Sequence, residues 1–166
     1  MKIPRLGLLA AAVLALSACH HREPTKTERE QAANLSSEAD FAVTVREWSR
    51  AEGLYAKAAA LCPDSGDYWV SLGIVRMRLN DHGGARSAYK AAVAAYSDEF
   101  GRNPANAQNV IREAYVLIVL GRADEARSVL DKARARNPGD RLLRSFFDNH
   151  GLDKMITDPG LKGLSP

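Results

Sequence analysis

The sequence contains few of the residues that catalysis, metal binding and disulfide cross-linking require. It has two cysteines, four histidines and 7% aromatic residues in a chain of 166. It has no Gly-x-Ser-x-Gly motif and no phosphate-binding glycine loop. No histidine has a second histidine four residues away or a cysteine at zinc spacing. We therefore predict a protein that is not an enzyme, with no catalytic residue, no metal ligand and no cofactor.

Excess charge of one sign is also scarce. The 23 basic and 20 acidic residues give a formal net charge of +3, and two of the basic residues, Lys2 and Arg5, belong to the N-terminal segment described next. Without that segment the balance is close to neutral. Nucleic-acid binding requires a clustered excess of positive charge. We therefore predict no nucleic-acid partner.

The longest apolar run lies near the N-terminus, from Leu6 to Leu16. It is too short to cross a bilayer core of ~30 Å as an ordinary transmembrane helix. A basic start, a short apolar run and small residues after it are typical of a secretory signal peptide. We expect residues 1–18 to be that signal.

The run ends in Leu16-Ser17-Ala18-Cys19, which resembles the bacterial lipobox. The resemblance implies that the signal is removed and that Cys19 is acylated, for example with palmitate, so that the mature protein is anchored in a membrane of the cell envelope. His20 follows the cysteine in place of aspartate, and by resemblance to other lipoproteins this implies the periplasmic face of the outer membrane. A plain signal peptide cleaved near Ala18, with Cys19 incidental, is the alternative.

If Cys19 is acylated, Cys62 is the other cysteine and has no intramolecular disulfide partner. It has no Cys-x-x-Cys context, so we expect a buried thiol at a helix end.

Small and large residues recur at fixed spacing through the rest of the chain. Three segments each contain two alanines seven residues apart with a larger residue between them, displaced by 34 and then 41 residues along the chain. Alanines at this spacing allow two helices to approach closely, while the larger residue fills the gap to the next helix. The three sets are Ala51, Tyr55 and Ala58; Ala85, Tyr89 and Ala92; and Ala126, Leu130 and Ala133.

These sets, with Trp69, Leu72-Gly73, Pro63 and Pro138, resemble the tetratricopeptide repeat, whose period is 34 residues. The resemblance implies an all-α fold: a short right-handed superhelix of about three helix-turn-helix units and a C-terminal capping helix. No long stretch alternates with period two, which also favours an all-α chain.

The signal, the lipobox and the repeat together predict how the chain is organised. A lipidated cysteine and polar tether occupy residues 19–31, the repeat array residues 32–138 (units of about 32–65, 66–103 and 104–138), a capping helix residues 139–151 and an irregular tail residues 152–166. Asp140 is the predicted N-cap of the capping helix, and Gly151 its C-terminal glycine. The seven extra residues around 97–103 are expected to extend a helix to Gly101, with a surface loop as the alternative. Asn103-Pro104 is the predicted start of the next helix.

The repeat resemblance implies that the first helices of successive units line a concave groove. It assigns to this groove Val70, Ile74, Met77, Arg78, Ile111, Arg112, Tyr115 and Ile118. In the first unit it assigns Ser36, Asp40 and Val43. The family's two-carboxylate clamp uses Lys, Asn and Arg, and of its five positions here (Ser36, Asp40, Ser71, Gln108 and Arg112) Arg112 alone matches.

A groove lined by aliphatic side chains, methionine and tyrosine suits an amphipathic helix or an apolar peptide segment with anchors at helical spacing. The partner is therefore predicted to be a protein or peptide. The alternative is that the groove residues pack only against neighbouring helices or the chain's own tail.

Three functions remain open. The first is a membrane-tethered adaptor or scaffold for an envelope complex, similar to the pilotin-like and tight-adherence accessory proteins of pilus and secretion assemblies. The second is a structural homo-oligomer. The third is a regulatory protein that docks cell-wall enzymes, or such an enzyme itself.

Overall fold

The computed structural model describes residues 23–166, and every regular element in this part of the chain is an α-helix. The prediction of an all-α fold is confirmed. The helices in chain order are α1 (Lys26–Thr44), α2 (Trp48–Leu61), α3 (Gly66–Arg78), α4 (His82–Arg102), α5 (Ala107–Val119), α6 (Ala123–Arg136), α7 (Arg141–Asp148), α8 (Gly151–Thr157) and α9 (Pro159–Lys162).

The helices stack as consecutive pairs. α1 packs on α2, α3 on α4 and α5 on α6, while α2 contacts α3 and α4 contacts α5 to join one pair to the next. The short helices α7, α8 and α9 pack at the C-terminal end, against α5 and α6. Each pair therefore stabilises its neighbours, as expected for a repeat array.

Small residues lie where the paired helices cross. The six repeated alanines are fully buried, and so are the three larger residues between them. In the second pair the ring of Tyr89 on α4 lies directly over Gly73 on α3, and the ring of Tyr96 lies over Gly66 one heptad away. A side chain at either glycine would occupy the space of the tyrosine ring. Gly73 therefore sits at a helix crossing, as its repeat position predicts.

The turn within each pair has the same backbone geometry. Arg46, Asn80 and Gly121 adopt left-handed conformations, with φ of 61°, 61° and 74°. The next residue donates its N–H to the helix that has just ended: Glu47 to Ala42 at 2.8 Å, Asp81 to Arg76 at 2.9 Å and Arg122 to Leu117 at 2.8 Å. This arrangement is the Schellman motif, in which backbone N–H groups after the helix donate hydrogen bonds to its last carbonyl groups.

The N-terminal boundary differs from the expectation that residues 19–31 form a tether. Helix α1 already begins at Lys26, because Thr25 and Glu28 form a capping box. The Thr25 hydroxyl accepts a hydrogen bond from the Glu28 N–H at 3.3 Å, while the Glu28 carboxylate accepts one from the Thr25 N–H at 2.8 Å. The polar sequence of this first turn lies on exposed helix rather than in an irregular tether.

The seven extra residues extend α4, as predicted, and the helix ends at Arg102, with Gly101 inside it. The predicted N-cap at Asn103 was wrong. Asn103 lies at the end of α4, and Asn106 caps α5 by accepting a hydrogen bond from the Gln108 N–H at 3.2 Å. The asparagine before the proline therefore terminates one helix, and a second asparagine begins the next.

The C-terminal region is more regular than predicted. Asp140 caps α7 by accepting the Leu143 N–H at 2.8 Å, as expected. However, Gly151 begins α8 and does not end α7, because the left-handed conformation after α7 is adopted by His150, with φ of 52°. Residues 152–166 also contain α9, where Asp158 caps the helix and Pro159 takes its first position. Asp158-Pro159-Gly160, in the segment predicted to be irregular, is therefore a helix start.

None of the helices within residues 23–166 is both long and apolar enough to cross a membrane. The predicted signal peptide (residues 1–18) and the predicted acylation site at Cys19 lie outside the described residues.

Candidate functional site

Five of the eight predicted groove residues lie together on α3 and α5. They are half-buried and pack against one core cluster, here called the central cluster, made of Ala85, Tyr89, Ala92, Tyr96, Val116, Val119 and Leu161. The five are Val70, Ile74, Met77, Tyr115 and Ile118. The repeat register therefore brings these side chains onto one surface.

The other three predicted residues lie elsewhere. Arg78 is exposed at the end of α3. Ile111 packs against a different cluster, which includes Leu143 of α7 and belongs to the C-terminal end of the stack. Arg112 is exposed and donates a hydrogen bond to Asp67 at 2.8 Å. These three are not part of the apolar surface on α3 and α5.

The C-terminal tail covers the α5 side of this surface. Leu161 of α9 is 6% exposed and belongs to the central cluster, and Met155 and Leu164 pack against the same cluster. The Arg86 guanidinium donates a hydrogen bond to the Pro166 carbonyl at 2.6 Å. Packing of the groove residues against the chain's own tail was the alternative prediction, but the tail residues that make the contact were not identified from the sequence. The signal that could have found it is the apolar pair Leu161 and Leu164, one helical turn apart after a capping aspartate.

The α1 side of the same surface is open. A cavity of about 280 Å³ lies between α1 and α3, lined by Val43, Trp48, Tyr55, Ile74 and Arg78, among others. Ile74 contributes to both sides, since it lines this cavity and also packs against the central cluster. The open cavity and the covered surface therefore share Ile74.

Two tyrosines at equivalent repeat positions have different surroundings on the two sides. On the open side the Tyr55 hydroxyl donates a hydrogen bond to Asp40 of α1. On the covered side, Ile74 takes the place of Asp40, 34 residues further along the chain. The Tyr89 hydroxyl is buried there and has no hydrogen-bond partner among residues 23–166. Burial, and then the neighbouring Tyr115, raise the pKa of Tyr89.

Polar side chains form a second cavity at the edge where α3 and α5 begin. Asp67 accepts hydrogen bonds from the Tyr96 hydroxyl at 2.5 Å and from Arg112, and Arg29 pairs with Asp64 at 2.7 Å. The cavity measures about 530 Å³. Because its arginines are paired with carboxylates of the same chain, Arg112 does not present the free guanidinium that a carboxylate clamp requires.

A buried carboxyl group lies in α5. Glu113 is 5% exposed and occupies the repeat position of Leu72, which is apolar in the second unit. Burial raises the pKa of Glu113 to about 7, and this rise is opposed by the Arg122 charge and a hydrogen bond from Ser97. The sequence shows that Glu113-Ala114 stands in the place of Leu72-Gly73. The burial of Glu113 and its raised pKa, however, depend on tertiary packing.

The described residues hold no group of three histidine, cysteine or acidic side chains that could bind a metal ion. Cys62 is a buried free thiol, and burial raises its pKa. A thiol with a raised pKa is a weak nucleophile at neutral pH.

The sequence was compared with known families, curated proteins and solved structures. Residues 77–146 match the model of the tetratricopeptide repeat family. No curated protein matches. A solved structure of the Arabidopsis OM64 TPR domain aligns with 78% of this chain and 99% of that one, at 17% identity and a TM-score of 0.43. The matched segment contains the end of α3, all of α4, α5 and α6 and most of α7, and this match and the stacked helix pairs together support the tetratricopeptide repeat family.

Proposed function

We propose that this protein is a non-catalytic, membrane-tethered lipoprotein whose repeat array is a protein-interaction adaptor or scaffold for an envelope complex, such as a pilus or secretion assembly. Tetratricopeptide repeats generally bind proteins, and a partner peptide or helix is the kind of ligand that their apolar surfaces accept. The partner's apolar side chains enter the open cavity between α1 and α3, and Cys19 holds the array at the periplasmic face of the outer membrane.

The open cavity is the observation that carries this proposal. A pocket lined by Trp48, Val43 and Ile74 removes apolar side chains from water, and the exposed Arg78 at its rim favours a partner with acidic groups beside its anchors. Aromatic and aliphatic pockets of this kind contribute most of the affinity in protein interfaces, whereas rim charges affect mainly association rates and salt dependence.

Cross-linking in intact cells tests the adaptor role. A photoreactive amino acid at Arg78, beside the cavity, should give a discrete adduct with another protein. The same photoreactive amino acid placed at Lys132, which is exposed on α6, is the matched control and should give no adduct. Absence of an adduct at Arg78, or the same adducts at both positions, would contradict the adaptor role.

Fractionation tests the tether separately. Cys19→Ala should move the protein from the membrane to the soluble fraction, because acyl chains contribute about 0.8 kcal/mol per buried CH₂ and two or more anchor stably. If the variant still partitions with the membrane, acylation is not its anchor.

A structural homo-oligomer is the second candidate, and one feature of α1 favours it. Phe41 is 60% exposed, and Val45 near the end of α1 is also exposed. The residues at the repeat position of Phe41 in the second and third units, Val75 and Val116, are buried against the preceding unit. The first unit therefore presents an end face on which another helix pair would fit. A discrete oligomer in solution that Phe41→Asp converts to a monomer would favour this candidate.

A further inference from the structure

The two sides of the apolar surface differ in what occupies them. The cavity between α1 and α3 is open, while Met155, Leu161 and Leu164 of the tail pack on the central cluster beside α5. Ile74 lines the cavity and packs against the same central cluster as the tail, so a segment that enters the cavity and continues across that cluster competes with the tail. The resident tail therefore occupies the place that a longer partner segment would need.

The tail is a short and incomplete occupant. Its two helices, α8 and α9, contain seven and four residues, and Leu152 and Leu161 are the buried side chains in them. A left-handed residue, His150, separates them from α7. The Tyr89 hydroxyl, in the central cluster against which the tail packs, is buried and has no hydrogen-bond partner among residues 23–166. Buried polar groups are nearly always hydrogen-bonded, so this surface is not fully complementary to the segment that covers it.

We propose that the tail, residues 151–166, is a competitive intramolecular ligand, and that the partner's apolar segment displaces it from the central cluster. The inference rests on the proposed adaptor function and defines the partner's chemistry. The tail shows which segment fits: a short helix with aliphatic anchors three residues apart, as at Leu161 and Leu164. Binding is then controlled by the fraction of molecules in which the tail is released.

A peptide with the sequence of residues 151–166, labelled with a fluorophore, is the probe. Its binding to the purified full chain is measured by fluorescence anisotropy for the wild type and for Leu164→Asp, which places a charge in the tail's contact. We expect Leu164→Asp to bind the probe about tenfold more tightly or better, because the apparent affinity of a site that is open a tenth of the time rises by that factor on release.

Two further variants locate the effect. Leu142→Asp makes the same change at a leucine that is 42% exposed on α7, and it should bind the probe as the wild type does. Met77→Asp, added to Leu164→Asp, should remove the gain, since Met77 packs against the same central cluster as Leu164. Circular dichroism melting of each variant establishes that it is folded, and Leu164→Ser replaces Leu164→Asp if the latter is not.

The inference is overturned if Leu164→Asp and Leu164→Ser bind the probe no more tightly than the wild type, or if Met77→Asp leaves the gain intact. A concentration-dependent wild-type dimer that Leu164→Asp abolishes would also overturn it, because the tail would then bind a second copy. The probe experiment uses neither membrane nor extract. Its failure therefore removes only the role of the tail, and failure of the Arg78 cross-link removes the adaptor role.

Discussion

The first helix pair and the two that follow have the same repeat positions in different surroundings. In the first pair, the Tyr55 hydroxyl is hydrogen-bonded to Asp40, whereas the equivalent Tyr89 hydroxyl is buried without a partner among the described residues. Phe41 of α1 is 60% exposed, whereas the equivalent Val116 of α5 is 1% exposed. The tyrosines differ because Ile74 stands in the second pair where the first pair has Asp40. Phe41 and Val116 differ because α1 has no preceding pair among the described residues, whereas α5 packs on α4.

The same contrast applies to charge. Glu38 of α1 lies in solvent and pairs with Arg50, while Glu113 occupies the equivalent position of α5 and is buried. One residue type at one repeat position is thus an ordinary surface acid in the first pair and a perturbed group in the third. The repeat position therefore determines the direction in which a side chain points, and the packing of the adjacent unit determines whether that side chain is buried.

The largest expected effect is at the helix crossing of the second pair. Gly73→Leu places a side chain where the Tyr89 ring lies, and overpacking of this kind costs about 3 kcal/mol. Even Gly73→Ala should cost about 1 kcal/mol, although Ala39 holds the same position in the first pair. Thermal unfolding of the whole domain measures both. Gly101→Leu, on α4 with open space around it, is the control and should change the melting temperature little. If Gly101→Leu lowers the melting temperature as much as Gly73→Leu does, the effect at Gly73 does not come from the helix crossing.

The buried acid predicts that the protein loses stability as the pH rises. The folded pKa of Glu113 is raised to about 7. The stability that its neutral form contributes is fully present below the unfolded pKa of about 4.3 and is lost as the pH rises through 7. The free energy of unfolding should therefore fall by up to about 3 kcal/mol between pH 5 and pH 8.

Urea titrations of the wild type and two variants at both pH values test this prediction. Glu113→Gln should remove most of the fall, because glutamine does not ionise. Glu38→Gln should retain the fall, because Glu113 is still present. The assignment to Glu113 is refuted by a pH dependence that survives in Glu113→Gln.

The two tyrosines offer a smaller and more direct test of the comparison between pairs. Tyr89→Phe removes an unpaired buried hydroxyl and should raise the free energy of unfolding by about 1 kcal/mol. Tyr55→Phe removes a hydrogen bond to a carboxylate and should lower it by about 1–2 kcal/mol. Chemical denaturation measures both signs. Losses of equal size in the two variants would mean that the two hydroxyls are equally well satisfied.

The smallest expected effect concerns the turns within the pairs. Arg46 adopts a left-handed conformation that costs a residue with a Cβ atom about 1 kcal/mol, whereas Gly121 holds the same position in the third pair. Arg46→Gly should therefore raise the free energy of unfolding by up to about 1 kcal/mol, and Gly121→Arg should lower it by a similar amount. Opposite signs in denaturant unfolding confirm the shared geometry, and a loss in Arg46→Gly contradicts it.

The repeated part of the fold could be predicted from the sequence because local spacing and packing agree there. Ala51 and Ala58, with Tyr55 between them, require a close partner helix, and the same pattern recurs twice. The extension of α4 followed from the seven additional residues.

The ends of the array could not be predicted in the same way. The helices of the tail are stabilised by contacts of Leu161 and Met155 with residues distant in sequence, and Asp158-Pro159-Gly160 is consistent with either a helix start or a loop. For the candidate site, the register identified Ile74, Met77 and Tyr115 as neighbours on one surface. The tail that covers them, and the ion pair that engages Arg112, are tertiary contacts that local patterns do not specify.

The common turn geometry at Arg46, Asn80 and Gly121 makes the helix pairs interchangeable building blocks. Each turn redirects the chain in the same way, so a gene duplication that adds a whole pair would lengthen the array without altering the direction of the helices on either side. A designer could likewise graft the Leu120-Gly121-Arg122 turn into the other two pairs. The length of the binding surface can then evolve separately from its chemistry, which is determined by the side chains between the turns.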